Sequence, residues 1–214
     1  MGEMSLRKRW FAWAYHTFVS RTGTPDFADT LTRQVRAPLL ARARGEVLEI
    51  GAGDGANLPF YPAGTQVTLL EPNPYLLAYL RDAQSGAHCT IVGWIRGWGE
   101  QLPVGSGQFD TVVATHVLCS VRDQARVLDE VRRVLRPGGQ FLFLEHVAAP
   151  TRSLTLAMQY VLNPAWSALG DGCHLTRDTG AIIQAAGFRQ VEMRTFRAPY
   201  PAFVSPHIVG VAMV

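Results

Sequence analysis

Hydrophobic positions follow two different rhythms along the chain. Over residues 5–21 the aromatics Trp10, Phe11, Trp13, Tyr15 and Phe18 recur among basic and polar residues, which predicts an amphipathic helix. Thr24-Pro25 has the chemistry of a helix start, a capping hydroxyl followed by proline at the first helical position. A second helix is expected from there to about residue 44, bent or divided at Pro38 and ended by Gly45. The rhythm then shortens. Residues 46–50, 66–71 and 109–115 are apolar runs with β-branched residues, and 140–145 is an aromatic and leucine run; all four predict strands, with helical segments between most of them. Residues 122–136 carry Ala125, Leu128, Val131 and Leu135 on one stripe, with Ser120 and Asp123 spaced as a capping box and Pro137-Gly138-Gly139 as the stop. Helices are expected over 152–166, broken by Gly170-Asp171-Gly172, and over 176–186, closed by Gly187. Two last strands are predicted over 189–197 and 207–214.

Strands alternating with helices imply an α/β, doubly wound sheet, mostly parallel, with helices on both faces. With 214 residues and no linker or repeat, one domain is expected. A formal charge of +3 without any run of like charges gives no reason to expect nucleic acid. No stretch reaches the ~18 apolar residues of a membrane span. The apolar segment from Trp10 to Val19 follows Arg7, Lys8 and Arg9, but no small-residue cleavage site follows it, so no signal peptide is expected. Cys89, Cys119 and Cys173 are odd in number and scattered, which fits a reducing cytoplasm. No C-x-x-C or H-x-x-x-H pair offers metal-ligand spacing, so no metal is expected.

The chemistry concentrates after the first strand, in Glu49-Ile-Gly51-Ala52-Gly53-Asp-Gly55. Glycines there allow a sharp turn and close backbone approach to a ligand. The spacing is G-x-G-x-G, unlike the G-x-G-x-x-G of dinucleotide folds or the lysine-bearing phosphate loop. Glu71 ends the next strand in Leu-Glu71-Pro72-Asn73-Pro, where a carboxylate can accept both ribose hydroxyls of an adenosine. An acid beside the loop, Glu49, suits a cationic ligand such as S-adenosylmethionine (SAM) and would repel a pyrophosphate.

These features, with Gly97-Trp-Gly-Glu-Gln-Leu-Pro103, Gly107-Gln-Phe-Asp110 and the segment from Glu130 to Gly139, resemble the class I SAM-dependent methyltransferases over residues 45–147. The resemblance implies a Rossmann-like seven-stranded sheet, with residues 1–44 as an N-terminal helical lid and 148–214 as the acceptor side. It implies SAM as cofactor, with Gly51, Ala52 and Gly53 along the methionine moiety, Glu49 and Asn57 nearby, and Glu71, Pro72 and Asn73 at the ribose. Trp98, Gly99 and Glu100 would border the adenine, and Thr115 and His116 the sulfonium side. Many members carry an acid where Trp98 stands, so only its position carries over.

Gly55-Ala-Asn57, Val117-Leu-Cys-Ser-Val121, Gly170-Asp-Gly-Cys173, Leu175-Thr-Arg177 and Pro206-His-Ile208 are similar to the membrane-associated thiol S-methyltransferases of animals and their bacterial relatives. That similarity implies a small, apolar methyl acceptor, with a thiol favoured. His146 and His116 are the candidate bases, and Tyr15, Trp166, Cys173, Arg177 and His207 the candidate acceptor contacts. A lipid- or quinone-type methyltransferase and a non-catalytic SAM-binding regulator stay open as alternatives. So do a structural role for any one histidine, a monomer or homodimer, and at most peripheral membrane contact through the first helix.

Overall fold

A computed structural model describes residues 6–20 and 28–214. Helix α1 (Leu6–Ala14) runs into a π-helical turn (Tyr15–Ser20). A π-helical stretch (Ala28–Arg36) leads into α2 (Ala37–Leu40). Pro38 lies where the winding tightens from π to α, so it divides the helix as expected. The helix start expected at Thr24-Pro25 lies outside the described residues.

The core then alternates: β1 (Glu46–Ile50), β2 (Gln66–Leu70), α3 (Leu76–Ala83), β3 (Thr90–Ile95), β4 (Phe109–Thr115), α4 (Gln124–Val134), β5 (Leu135–His146), α5 (Leu154–Leu169), α6 (Thr179–Ala185), β6 (Gln190–Arg197) and β7 (Pro206–Met213). The seven strands form one sheet in the order β3-β2-β1-β4-β5-β7-β6. β7 runs antiparallel to both its neighbours, and the β1 to β5 pairings are parallel.

Period two sorts the central strands between two cores. Leu48, Ile50, Val112, Ala114, Phe141 and Phe143 pack on one side with Val127, Leu128 and Val131 of α4. Val47, Val113, Leu142 and Leu144 pack on the other with Leu31, Val35, Leu39 and Leu40 from the N-terminal helices. Both faces of β1, β4 and β5 are therefore covered, which is why these strands read as continuous apolar runs.

Four details differ from the sequence reading. β3 was not expected: it is an edge strand whose residues are at most half-buried, and its apolar run Ile91, Val92, Trp94 and Ile95 is interrupted by Gly93, which is pressed toward Thr68. Asp123, not Ser120, caps α4, its carboxylate accepting from the Arg126 backbone N–H at 3.1 Å. Leu135 leaves the helix early and pairs with Phe109, after which the register jumps to Thr111 and Gln140 across the glycines. β5 is therefore much longer than residues 140–145. α5 carries Pro164 inside it and reaches Leu169. Among the described residues no helix is long and apolar enough to cross a membrane.

Candidate active site

The carboxyl ends of β1, β2 and β4 open into one cavity at the point where strand order reverses. Of the residues proposed for SAM, the fold brings Gly51, Gly53, Glu71, Pro72, Trp98, Gly99, Glu100, Thr115 and His116 to its wall. Tyr15 joins them, with Phe11, from the N-terminal helix. Sequence reasoning had not assigned Ile50, Leu70, Leu76, Val117, Ser120 and Val121 to the site, and they line the cavity together with Asp171. The core-like character of the apolar ones hid them.

Gly51 and Gly53 adopt φ of 66° and 59°, and a Cβ on Gly51 would stand 2.6 Å from a Val117 methyl. Only glycine permits both the turn and the approach. The loop is tied to Glu71, whose Oε2 accepts from the Gly53 N–H at 2.9 Å and whose Oε1 accepts from the Asn73 N–H at 2.8 Å. Burial raises the Glu71 carboxyl to about 7 against those two bonds. Asn73 works from behind, capping the turn into α3 through Tyr75 N–H and donating to the Lys8 carbonyl.

Glu49 does not line the cavity. It is buried behind the loop, accepting from Asn57 Nδ2 at 2.7 Å and from the Tyr61 hydroxyl at 2.8 Å, and burial raises it to about 7. Asn57 also donates to Thr115 Oγ1 at 3.0 Å and accepts from Arg36, so it joins β1, β4 and the N-terminal helices. Ala52 is buried in the second core. These three shape the loop from below. The N-terminal helix is fixed over the cavity by His16, whose Nδ1 lies 2.8 Å from Asp54 Oδ2 and whose ring stacks on Tyr79 at 3.9 Å. Neither His16 nor Asp54 was legible as a pair, because 38 residues separate them. Trp98 is half exposed, with Lys8 Nζ over its ring at 4.7 Å and the Arg122 guanidinium at 5.4 Å.

The remaining candidates, His146, His207, Trp166, Cys173 and Arg177, do not line this cavity; they lie beyond His116, which does. Antiparallel register sets His146 opposite His207. His116, at φ 58°, turns its Nε2 to within 3.1 Å of His207 Nε2. Burial holds both imidazoles low, His116 well below the usual histidine range and His207 at about 4, so both are neutral near pH 7. The hydrogen positions then follow. His207 Nδ1 lies 3.0 Å from the Ser205 carbonyl and must donate, so its Nε2 accepts and His116 Nε2 donates. His116 Nδ1 is left with a free lone pair. His146 Nε2 lies 2.9 Å from Cys173 Sγ, Trp166 Nε1 donates to the same sulfur at 3.2 Å, and Cys119 Sγ lies 3.5 Å away. Arg177 points elsewhere, donating to the Leu118 carbonyl at 2.7 Å, and so braces the segment after β4.

The wall suits an adenosyl sulfonium. Three carboxylates, Glu71, Glu100 and Asp171, face the cavity, and no Lys or Arg is among its described lining residues. The described lining therefore offers acids rather than cations to a ligand, with Lys8 and Arg122 held over Trp98 at its edge. A buried acid closing β2, a glycine turn at β1 and an apolar floor define a SAM-dependent methyltransferase.

Comparisons place it further. A methyltransferase domain family matches residues 48–143. The human thiol S-methyltransferase TMT1A is 43% identical over 170 residues, covering 78% of this chain and 70% of that protein. Human TMT1B is 41% identical over 188 residues, covering 86% and 76%. A crystal structure of a SAM-dependent methyltransferase from Thermotoga maritima superposes with a TM-score of 0.67 at 19% identity, covering 99% of each chain, and shares the fold. The chain belongs to the same family as these thiol S-methyltransferases, and its methyl donor is SAM.

Proposed function

We propose that this enzyme methylates the sulfur of a small, apolar thiol. The observation that carries the reading is the extent of the likeness to the thiol S-methyltransferases. It spans 78% of the chain and so runs well beyond the SAM-binding segment 48–143. An apolar rim from Phe11, Leu76, Val117 and Val121 supports a small hydrophobic acceptor over a polar one.

When bound, SAM supplies a methyl group on a positively charged sulfur, and its departure needs no acid because the leaving sulfur becomes neutral. The chain therefore has three tasks: to bind, to align and to exclude water. Glu71 would hold the ribose and the turn at Gly51 to Gly53 the amino-acid tail. Phe11 and Tyr15 would cover the site. A thiol reacts as its thiolate. His116, neutral and with Nδ1 unprotonated, is the group we assign to accept the thiol proton, oriented by His207.

Incubating the purified protein with SAM and a panel of alkyl and aryl thiols tests this, with S-methyl products read by mass spectrometry. We expect turnover that rises with thiol hydrophobicity. No product above the protein-free blank, or faster turnover of phosphatidylethanolamine or a prenylated quinone, would overturn it.

A further inference from the structure

Cys119, His146 and Cys173 come from three distant parts of the chain: the segment after β4, the end of β5 and the turn after α5. Their donor atoms all lie within 4.8 Å of one another. His146 Nε2 is 2.9 Å from Cys173 Sγ, and the two sulfurs are 3.5 Å apart. Ligands of one tetrahedral zinc, at roughly 2.3 Å for sulfur and 2.0–2.1 Å for nitrogen, stand about 3.5–3.8 Å from one another. The sulfur pair falls within about 0.3 Å of that spacing, and the His146–Cys173 pair would have to open by about 0.6 Å to admit the ion. Two sulfurs and an imidazole form a soft donor set that favours Zn²⁺ over oxygen-seeking cations.

The two sulfurs are surrounded as ligands are, while His146 Nδ1 is buried without a partner among the described residues. The Trp166 indole N–H donates to Cys173 Sγ at 3.2 Å, and the Ser120 hydroxyl is 3.5 Å from Cys119 Sγ. Donors aimed at a sulfur stabilise it as a thiolate. His146 and Cys119 are buried, whereas Cys173 is partly exposed. Ser120 also lines the SAM cavity, as does Asp171 two residues before Cys173, so the cluster adjoins the site of methyl transfer. Three protein ligands leave a fourth position, the arrangement of catalytic rather than structural zinc.

We propose that Cys119, His146 and Cys173 hold one Zn²⁺ whose fourth position receives the acceptor sulfur; the second half of this rests on the thiol reading above. The acceptor thiol gives its proton to His116 as it binds the ion. Its sulfur lone pair forms the new bond to the methyl carbon. The bond from that carbon to the sulfonium breaks, and its electron pair stays with the departing sulfur. Both products are neutral thioethers, weaker ligands than a thiolate, so the acceptor leaves. Zinc changes no oxidation state.

The full-length protein, reduced with a phosphine and stripped by a chelator, would be titrated with Zn²⁺ against a chromophoric chelator and with Co²⁺ by absorption. One ion per chain is expected, with a near-ultraviolet thiolate-to-cobalt band. Cys173→Ser should weaken Zn²⁺ by at least about 100-fold and Trp166→Phe by about 10-fold. Melting temperatures of the metal-free variants control for folding. No stoichiometric ion, no charge-transfer band, or affinity untouched by Cys173→Ser would overturn the site. Stripped enzyme that methylates thiols at the full rate would overturn the activating role and leave the thiol reading standing. A zinc-binding protein that methylates no thiol would overturn that reading and leave the site.

Discussion

His116 and His207 meet edge to face, with ring planes at 90° and Nε2 atoms 3.1 Å apart. Because Ser205 fixes the proton on His207 Nδ1, the pair defines which nitrogen of His116 is basic. His116→Ala should lower thiol turnover by about 100-fold, the low end for loss of a general base. His207→Phe should lower kcat by roughly tenfold with KM for SAM unchanged. His207→Gln, which restores an acceptor, should recover most of it. Steady-state kinetics check this; an equal rise in KM for SAM after His207→Phe would point to lost structure instead.

Glu71 makes SAM binding depend on pH. Its carboxyl sits at about 7 in the ligand-free protein, and the ionised form is the one that accepts hydroxyl hydrogens. Affinity should therefore strengthen as pH rises toward 7, by up to about tenfold per unit, and level off above it. Glu71→Gln should flatten the profile and weaken SAM by about 10- to 100-fold at pH 8, the worth of hydrogen bonds to a charged group. Calorimetry from pH 5.5 to 8.5 measures both.

Glu49 acts on stability with a definite sign. Its native carboxyl at about 7 lies above its ordinary 4.5, so the folded chain holds a proton that the unfolded chain releases. This contribution is full below about 4.5 and is lost as pH rises through 7, for at most about 3 kcal/mol at 1.36 kcal/mol per unit. Urea unfolding of Glu49→Gln should show a shallower fall across that window. Tyr61 can turn its hydroxyl to suit the amide.

Gly51 and Gly64 separate two costs. Both have positive φ, but a Cβ on Gly64 meets nothing within 4 Å, whereas on Gly51 it strikes Val117. Gly64→Ala should cost about 1–2 kcal/mol from backbone strain alone. Gly51→Ala should cost about 1–3 kcal/mol more and abolish measurable SAM binding. Thermal unfolding with and without SAM distinguishes them.

The His16–Asp54 contact should set how long SAM stays. Asp54 Oδ1 is already buried without a partner among the described residues, so His16→Ala leaves the whole carboxylate unsatisfied, at about 1–3 kcal/mol. The SAM dissociation rate measured by stopped flow should rise by roughly tenfold or more, and an unchanged rate would mean the helix does not restrain the ligand.

The sequence by itself determined the strands at 46–50, 66–70 and 109–115, the glycine turn and the acid at Glu71, because these signals are local: period, β-branching and a turn only glycine can make. β3 escaped because Gly93 interrupts its short apolar run, as a turn residue would. Only the tertiary structure decided that Glu49 supports the loop from behind, since one face of a strand cannot be told from the other when both are buried. It alone set His146 opposite His207 and brought Cys119 to Cys173, because register across β5 and β7 and the return of the chain after α5 are non-local. A carboxylate or thiol announces its chemistry in the sequence, but its partners are chosen by packing.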